Sequence, residues 1–442
     1  MIEQLLDLVR RSAGVGGADC LWRQSERTSV SFESGRLKAA GITEEAGVNL
    51  RVVSGGRVGI AGSTAVDGAP ADLVERALAS AELGEPLALA FPPSAPLPRL
   101  PTSFERAANA PLNALIAIGR DLVERLAREG CQVNVTVERE IAATRVANTV
   151  GADGTYRSTG VAISVEVWRI SGNDVLAIGD GFEGADLPAR EDLAALVRSV
   201  ESRLEPALTV VASPEGSLPV VFTPVGLSAL FLPVTQALSG KAVLQGISPL
   251  AGKLGELVFD RALTLADDPV TVGRPASRPI DDECVPSRAT ALVERGVVKQ
   301  FIYDLETAAR AGTTSTGHGQ RGIFSKPVPG YTNIILGEAG SGKGEGGELG
   351  GGLITDIKDG LLVDDLIGVG QGNVIGGAFS HPVALAYRIE RGHITGRVKD
   401  AAIAGNSYEL LKRIGGFGND RRWYGARSTP SLMLEGVSVA RR

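Results

Sequence analysis

Histidine, cysteine and clustered acids are the side chains from which metal and nucleophilic sites are usually built, and this chain uses them sparingly. Its three histidines are His318, His381 and His393, and no two are three to five residues apart, as a helical metal pair requires. His381 stands beside a proline and His393 in a turn, so both read as structural or solvated, although a cluster formed only in three dimensions stays open. Asp281-Asp282-Glu283 puts three carboxylates in a row. They could attract a hard cation, but they lack the alternating ligands of a calcium loop and read rather as a solvated turn with one helix cap. Cys284 follows those acids, which should raise its pKa and make it a poor nucleophile. Ser380 and His381 are neighbours in sequence, which does not place a hydroxyl on an imidazole, and no G-x-S-x-G elbow is present. Gly337-Glu338-Ala339-Gly340-Ser341-Gly342-Lys343 fits most of a phosphate-cradling loop. Gly344, however, stands where a Ser or Thr would meet Mg²⁺, and a glycine-rich stretch follows where a helix should begin. A surface loop is expected there. Residue by residue, no catalytic constellation is visible.

The elements that would have to position any site follow from composition and periodicity. At 442 residues the chain exceeds the roughly 250–300 at which one core stops growing, so two or more domains are expected. With 43% hydrophobic and 22% charged residues it reads as an aliphatic globular protein. Its 51 acids against 45 bases give a net charge of −6, which argues against a nucleic-acid footprint or a polybasic membrane patch. Cys20, Cys131 and Cys284 are scattered thiols with no CxxC pair, and no run approaches the roughly 18 apolar residues of a membrane span. A cytoplasmic protein is expected.

The fold class expected is α+β. An N-terminal α/β domain, residues 1–212, has a sheet with covering helices and contains a proline-rich connector at 85–110. A mostly β domain with few helices follows at 218–442, and Ser213–Ser217 is the break between them. Within the first domain, apolar spacing predicts helices at 2–11, 73–83, 111–129 and 190–204. Short strands are predicted at 20–24, 28–33, 36–41, 46–53, 57–63, 131–138, 142–147 and 161–169, with turns at Ser34-Gly35 and Ser54-Gly55-Gly56. In the second, one helix is predicted at 225–239. Strands are predicted at 218–222, 289–293, 297–303, 332–336, 353–356 and 361–363.

The second domain ends in a glycine-punctuated run, 368–420. Residues 370–377 are too rich in glycine for a regular strand or helix and suit close backbone approach. Gly372, Asn373, Gly376, Gly377 and the nearby His381 are therefore candidate residues for contact with a closely approaching backbone. Tight packing of a hairpin is an equal alternative. Strands at 384–389 and 394–398 flank Glu390-Arg391-Gly392-His393 as a hairpin, and a second Glu-Arg-Gly turn lies at 294–296. Asn406 is expected to cap a helix that Gly415-Gly416 ends two turns later.

Several of these stretches, in this order and spacing, resemble one family. They are Ile280 through Glu283, Leu292 through Val297, Ser315-Thr316-Gly317, Asp356 through Leu361, Tyr387 through Glu390 with Ala404-Gly405-Asn406, and, earlier, the Gly47–Gly59 stretch with Arg51 and Ala147-Asn148. They resemble the TldD/TldE (PmbA) metalloprotease family, once called modulators of DNA gyrase, along nearly the whole chain. The resemblance implies a two-domain subunit that dimerises, and a TldD-type subunit holding zinc on an H-E-x-x-x-H helix plus a distant cysteine. Here the matching helix places Phe231 and Leu232 where His and Glu would stand and Gln236 where the second His would stand. No cysteine follows Cys284, which itself occupies a position where the family commonly has Gly. The chain thus looks like the TldE/PmbA type, with no metal site of its own. The implied role is that of a non-catalytic subunit in a complex whose zinc sits in a TldD-like partner and which trims or degrades unfolded peptides, leader peptides included. A stand-alone homodimer that binds peptides or another ligand without hydrolysis is the alternative, and whether the chain is itself an enzyme is left open.

Overall fold

The computed structural model describes residues 1–65, 68–337 and 349–441. Helix α1, Ile2–Arg11, buries Ile2, Leu5, Leu6 and Val9, the stripe that its apolar spacing demands. Three antiparallel strands follow: β1, Val15–Glu33; β2, Arg36–Ser54; and β3, Arg57–Ser63. They turn at Ser34-Gly35 and Gly55-Gly56, all four with positive φ. The strands are far longer than the short runs expected. β1 and β2 stay paired from Val15–Ser54 out to Glu33–Arg36, although residues 36–45 of β2 are exposed. A backbone ladder can run past the buried face, where alternation of side-chain type no longer reports it.

Helix α2, Pro70–Glu82, is followed by a connector with one short helix, α3, Glu105–Ala108. The connector lies on its own sheet, where Asn148 Nδ2 donates to Pro92 O (2.8 Å) and Thr102 Oγ1 to Arg157 O (2.5 Å). Helix α4, Leu112–Leu126, leads to β4, Cys131–Asn148; β5, Asp153–Ser171; β6, Asp174–Gly184; and helix α5, Arg190–Ala207. The two strands expected between 131 and 147 are one. β6 was not foreseen, because Gly179, Gly181 and Gly184 interrupt its alternation. These strands form one antiparallel sheet in the order β3-β2-β1-β4-β5-β6. α1 and α2 pack on Ala18, Cys20, Val48 and Leu50 toward one end, and α4 and α5 pack on Val133, Val135, Ile163 and Val165 toward the other.

Beyond α5 the strands are shorter. In order they are β7, Val210–Val211; β8, Gly216–Phe222; β9, Leu265–Asp267; β10, Thr290–Glu294; β11, Val297–Val298; β12, Gly319–Gln320; β13, Val328–Pro329; β14, Ile334–Leu336; and β15, Asp359–Leu366. Then come β16, Ala378–Glu390; β17, His393–Val398; β18, Ala401–Asn406; β19, Ile414–Phe417; β20, Arg422–Tyr424; β21, Arg427–Thr429; and β22, Leu432–Arg441. The helices here are α6, Ser228–Ala237; α7, Gly240–Leu244; α8, Leu305–Ala311; and α9, Ser407–Leu410, with a 3₁₀ turn at Val374–Gly376. β8, β22, β18, β16 and β15 close into a ring, because β15 pairs with both β8 and β16. Closure removes strand edges and leaves an apolar interior to which α6 adds Leu230, Phe231 and Val234. The chain is a mixed α+β protein.

Some local expectations fail here. Residues 353–356 form a turn, not a strand, since Gly350, Gly351 and Gly352 take positive φ just before them. The strand expected at 297–303 shrinks to two residues. Asn406 does cap a helix, its Oδ1 accepting from the Tyr408 and Glu409 amides, but α9 is a single turn, and Gly415-Gly416 lies in β19. The hairpin around Arg391-Gly392 forms as expected, with φ of 50° and 81°.

Candidate functional site

Helix α6 is short and mostly apolar, so it packs across the ring interior and not on the surface. One flank of it faces a cavity of about 230 Å³ lined by Phe231, Leu232 and Thr235, with Leu265, Ile334 and Arg427 opposite. Gln236 is exposed and takes no part in this wall. Five residues along a helix rotate by about 140°, whereas four bring a side chain nearly back over the first, so Thr235 and not Gln236 lies one turn on from Phe231. The Thr235 hydroxyl is within 3.0 Å of both the Phe231 and the Leu232 carbonyl oxygens, to which it donates. Neither Phe231, Leu232, Thr235 nor Gln236 offers an imidazole, carboxylate or thiolate, so the residues present do not fit a zinc ion. Among the described residues no group of three His, Cys, Asp or Glu is placed to hold a metal.

The glycine segment lies against the same helix. A Cβ on Gly370 would sit 3.6 Å from Leu232 Cδ2, and the Tyr408 hydroxyl reaches both Pro233 O (3.1 Å) and Ile375 O (2.8 Å). Gly377, at φ 77°, is buried, and a Cβ there would fall 2.5 Å from the Tyr408 ring. Packing alone therefore requires that glycine. Gly372 has φ 75° and open space around it, and Asn373 and Gly376 are exposed beside it. His381 is half-buried on β16, stacked on Phe379 at 5.8 Å, and burial holds its pKa below the usual value. The phosphate-loop reading falls on 337–344, of which 338–344 lie outside the described residues.

The other candidates are structural. His318 is buried, with Nε2 3.2 Å from Asp267 Oδ2 and Nδ1 2.9 Å from Thr316 Oγ1. His393 is exposed at the start of β17. Asp281-Asp282-Glu283 is not a solvated turn: all three are buried at 4% exposure or less. Their charges are used internally. Arg51 donates to both oxygens of Asp19 and to Glu283 Oε1 (2.5 Å), and Arg321 donates to Asp19 Oδ1 (2.8 Å). Asp281 accepts the amides of Glu283, Val285 and Gly319, Asp282 that of Arg321, and Glu283 Oε2 that of Leu305. Burial pushes Glu283 up to about 8 despite Arg51. Asp19 stays below its ordinary range, because Arg321 and Arg51 outweigh its burial. Cys284 has φ 67°, a left-handed backbone that suits glycine, and burial raises its thiol pKa well above the usual value. This node fastens β1 and β2 to the 278–321 segment. No local motif could have revealed it, because its partners stand 32, 232 and 302 residues apart.

Arg427 is different in kind. Its Nη1 donates to Ser228 Oγ at 3.3 Å, and among the described residues no carboxylate lies within salt-bridge reach of it. Burial holds its guanidinium below the usual pKa, and the neighbouring Tyr424 offsets this only in part.

Residues 215–441 match the PmbA/TldA metallopeptidase C-terminal domain, and residues 18–81 match domain 1 of the same metallopeptidases. A metalloprotease of Methanothermobacter thermautotrophicus is 27% identical over 92% of this chain and 88% of its own length. A metalloprotease TldD homolog of Haemophilus influenzae is 32% identical over 47% of this chain and 42% of its own. The crystal structure of TldE from Thermococcus kodakarensis superposes with a TM-score of 0.88 at 25% identity, covering 99% of each chain.

Proposed function

The chain belongs to the TldD/PmbA metallopeptidase family, and from that premise we propose that it is the subunit without a metal site in a TldD/TldE-type zinc metalloprotease complex. The complex would trim or degrade unfolded peptides in the cytoplasm, leader peptides among them, with zinc and its water supplied by a TldD-like partner. One observation carries the reading. The helix expected to bear the metal ligands instead turns Phe231 and Leu232 into a cavity wall, with a back-bonded Thr235 one turn on and Gln236 pointing elsewhere. The role left to this chain is to wall a chamber between the subunits and hold an extended peptide, by pairing at a strand edge and by close approach along exposed Gly372, Asn373 and Gly376, with Gly377 and His381 behind them.

Elemental analysis tests this directly. The purified chain, dialysed against zinc-containing buffer, should retain far less than one zinc per chain, whereas a TldD-type subunit co-purified with it should carry about one. Stoichiometric zinc on this chain alone would overturn the reading. A chain that forms only homodimers and ignores the TldD-type subunit would favour a stand-alone binding protein.

A further inference from the structure

We infer that the cavity beside α6 is a binding pocket for an apolar residue bearing a free carboxylate, the C-terminal residue of a peptide, with Arg427 as the anion's partner. The inference rests on the reading of the chain as a peptide-handling subunit, and it names what that subunit grips.

Size is the first argument. An engineered cavity of about 150 Å³ takes benzene, and pockets for drug-sized ligands run to roughly 300–1,000 Å³. At about 230 Å³ this one holds a single branched or aromatic side chain. Its wall chemistry agrees, since Phe231, Leu232, Leu265 and Ile334 present hydrocarbon. The second argument is charge. A guanidinium half-buried against hydrocarbon is disfavoured unless an anion comes to it, and among the described residues Arg427 has a long contact to a serine hydroxyl and no carboxylate. Thr429, in the same wall, has a buried Oγ1 with no hydrogen-bond partner. One guanidinium with one spare hydroxyl matches a singly charged, planar carboxylate, which arginine takes in bidentate fashion, better than it matches a phosphate dianion. By contrast, the fully buried Arg51 and Arg321 each hold Asp19, and the buried Arg203 of α5 holds Asp180.

The test is calorimetric binding to the purified chain, without any partner subunit. The probes are N-acetyl-leucine, its C-terminal amide, and 4-methylpentanoate, which keeps the apolar group and the carboxylate but has no peptide bond. N-acetyl-leucine should bind at least about tenfold more tightly than the amide, and Arg427→Gln should abolish that preference. Leu232→Trp, at a partly exposed wall position, should fill the pocket and weaken both acids about tenfold or more while leaving Arg427 in place. Unchanged urea midpoints show that either variant folds, and Leu232→Trp decides the matter if Arg427→Gln does not. N-acetyl-leucine binding more tightly than 4-methylpentanoate identifies a peptide end; equal binding of the two supports the pocket but assigns it to free acids. Equal binding of acid and amide, or a preference that survives Arg427→Gln, overturns the proposal. Loss of carboxylate selectivity would leave zinc content and co-purification untouched, so this inference and the partner-subunit reading fail separately.

Discussion

Arg51 and Arg427 are both pressed against protein, one where β1 and β2 meet the 278–321 segment and the other in the wall beside α6. Arg51 is 1% exposed and held by Asp19 and Glu283, which in turn accept from Arg321 and from the amide of Leu305. Arg427 faces hydrocarbon and one serine hydroxyl. In the first region the buried arginines Arg51 and Arg321 already hold carboxylates from distant parts of the same chain, so the node joins elements. In the second, one charge is left over beside an empty volume. The acids drawn together in sequence proved to be the clamp, and a single arginine in a three-residue strand is the group we assign to binding.

The same substitution at the two arginines should separate these roles most sharply. Arg51→Met leaves Glu283 buried without its arginine and Asp19 with Arg321 alone, and breaking a buried pair from one side costs about 3–5 kcal/mol, read as a lowered urea midpoint with unchanged slope. A loss under about 1 kcal/mol would mean that the node is hydrated or rearranges.

Gly377 and Gly372 sharpen the contrast within the second region. Gly377→Ala combines a left-handed backbone, about 1–2 kcal/mol, with overpacking against Tyr408, about 1–3 kcal/mol. Gly372→Ala meets open space and should lose only the backbone part. Equal losses at the two sites would show that the contact with Tyr408 is not what holds the segment.

The node also has a pH signature. Folded Glu283 titrates near 8, above its ordinary 4.5, because burial outweighs Arg51 and because Asp281, Asp304 and Asp19 face it. The fold therefore favours the protonated form. The stability contributed by Glu283 is complete below about 4.5 and is lost as pH rises through about 8. Glu283→Gln stays neutral, so its urea midpoint should fall less than that of the wild type between about pH 5 and about pH 9. Parallel profiles would place the proton elsewhere in the node. The smallest effect belongs to Arg427→Met, which breaks no ion pair and should change stability by less than about 1 kcal/mol in either direction.

Much of the fold is legible from local chemistry. Ser34-Gly35 and Gly55-Gly56 announce the first meander and Arg391-Gly392 the later hairpin, because each depends on a backbone conformation that few residues adopt, and Asn406 announces α9, because its side chain accepts the first free amides of that helix. Strand length is less legible. β2 continues through exposed residues 36–45 where no face is buried, and β6 is masked by its glycines. Cys284 could be singled out as a non-glycine where glycine is common, and its φ of 67° gives the reason. The site itself divides the same way. Phe231 and Leu232 are readable as the wrong donors for zinc, but their neighbours in the cavity, Leu265, Ile334 and Arg427, come from strands of three residues that carry no pattern of their own. The buried node was unreadable for a related reason, since carboxylates in a row look solvated until the arginines that answer them are brought from far along the chain.

The central claim is that this chain contributes to peptide cleavage without supplying the metal. The most direct measurement is hydrolysis of an unstructured peptide by the chain alone, by a TldD-type subunit alone, and by the mixture, each with and without chelator. The account predicts no cleavage by this chain and chelator-sensitive cleavage that is greatest in the mixture. Chelator-sensitive cleavage by this chain alone would contradict it.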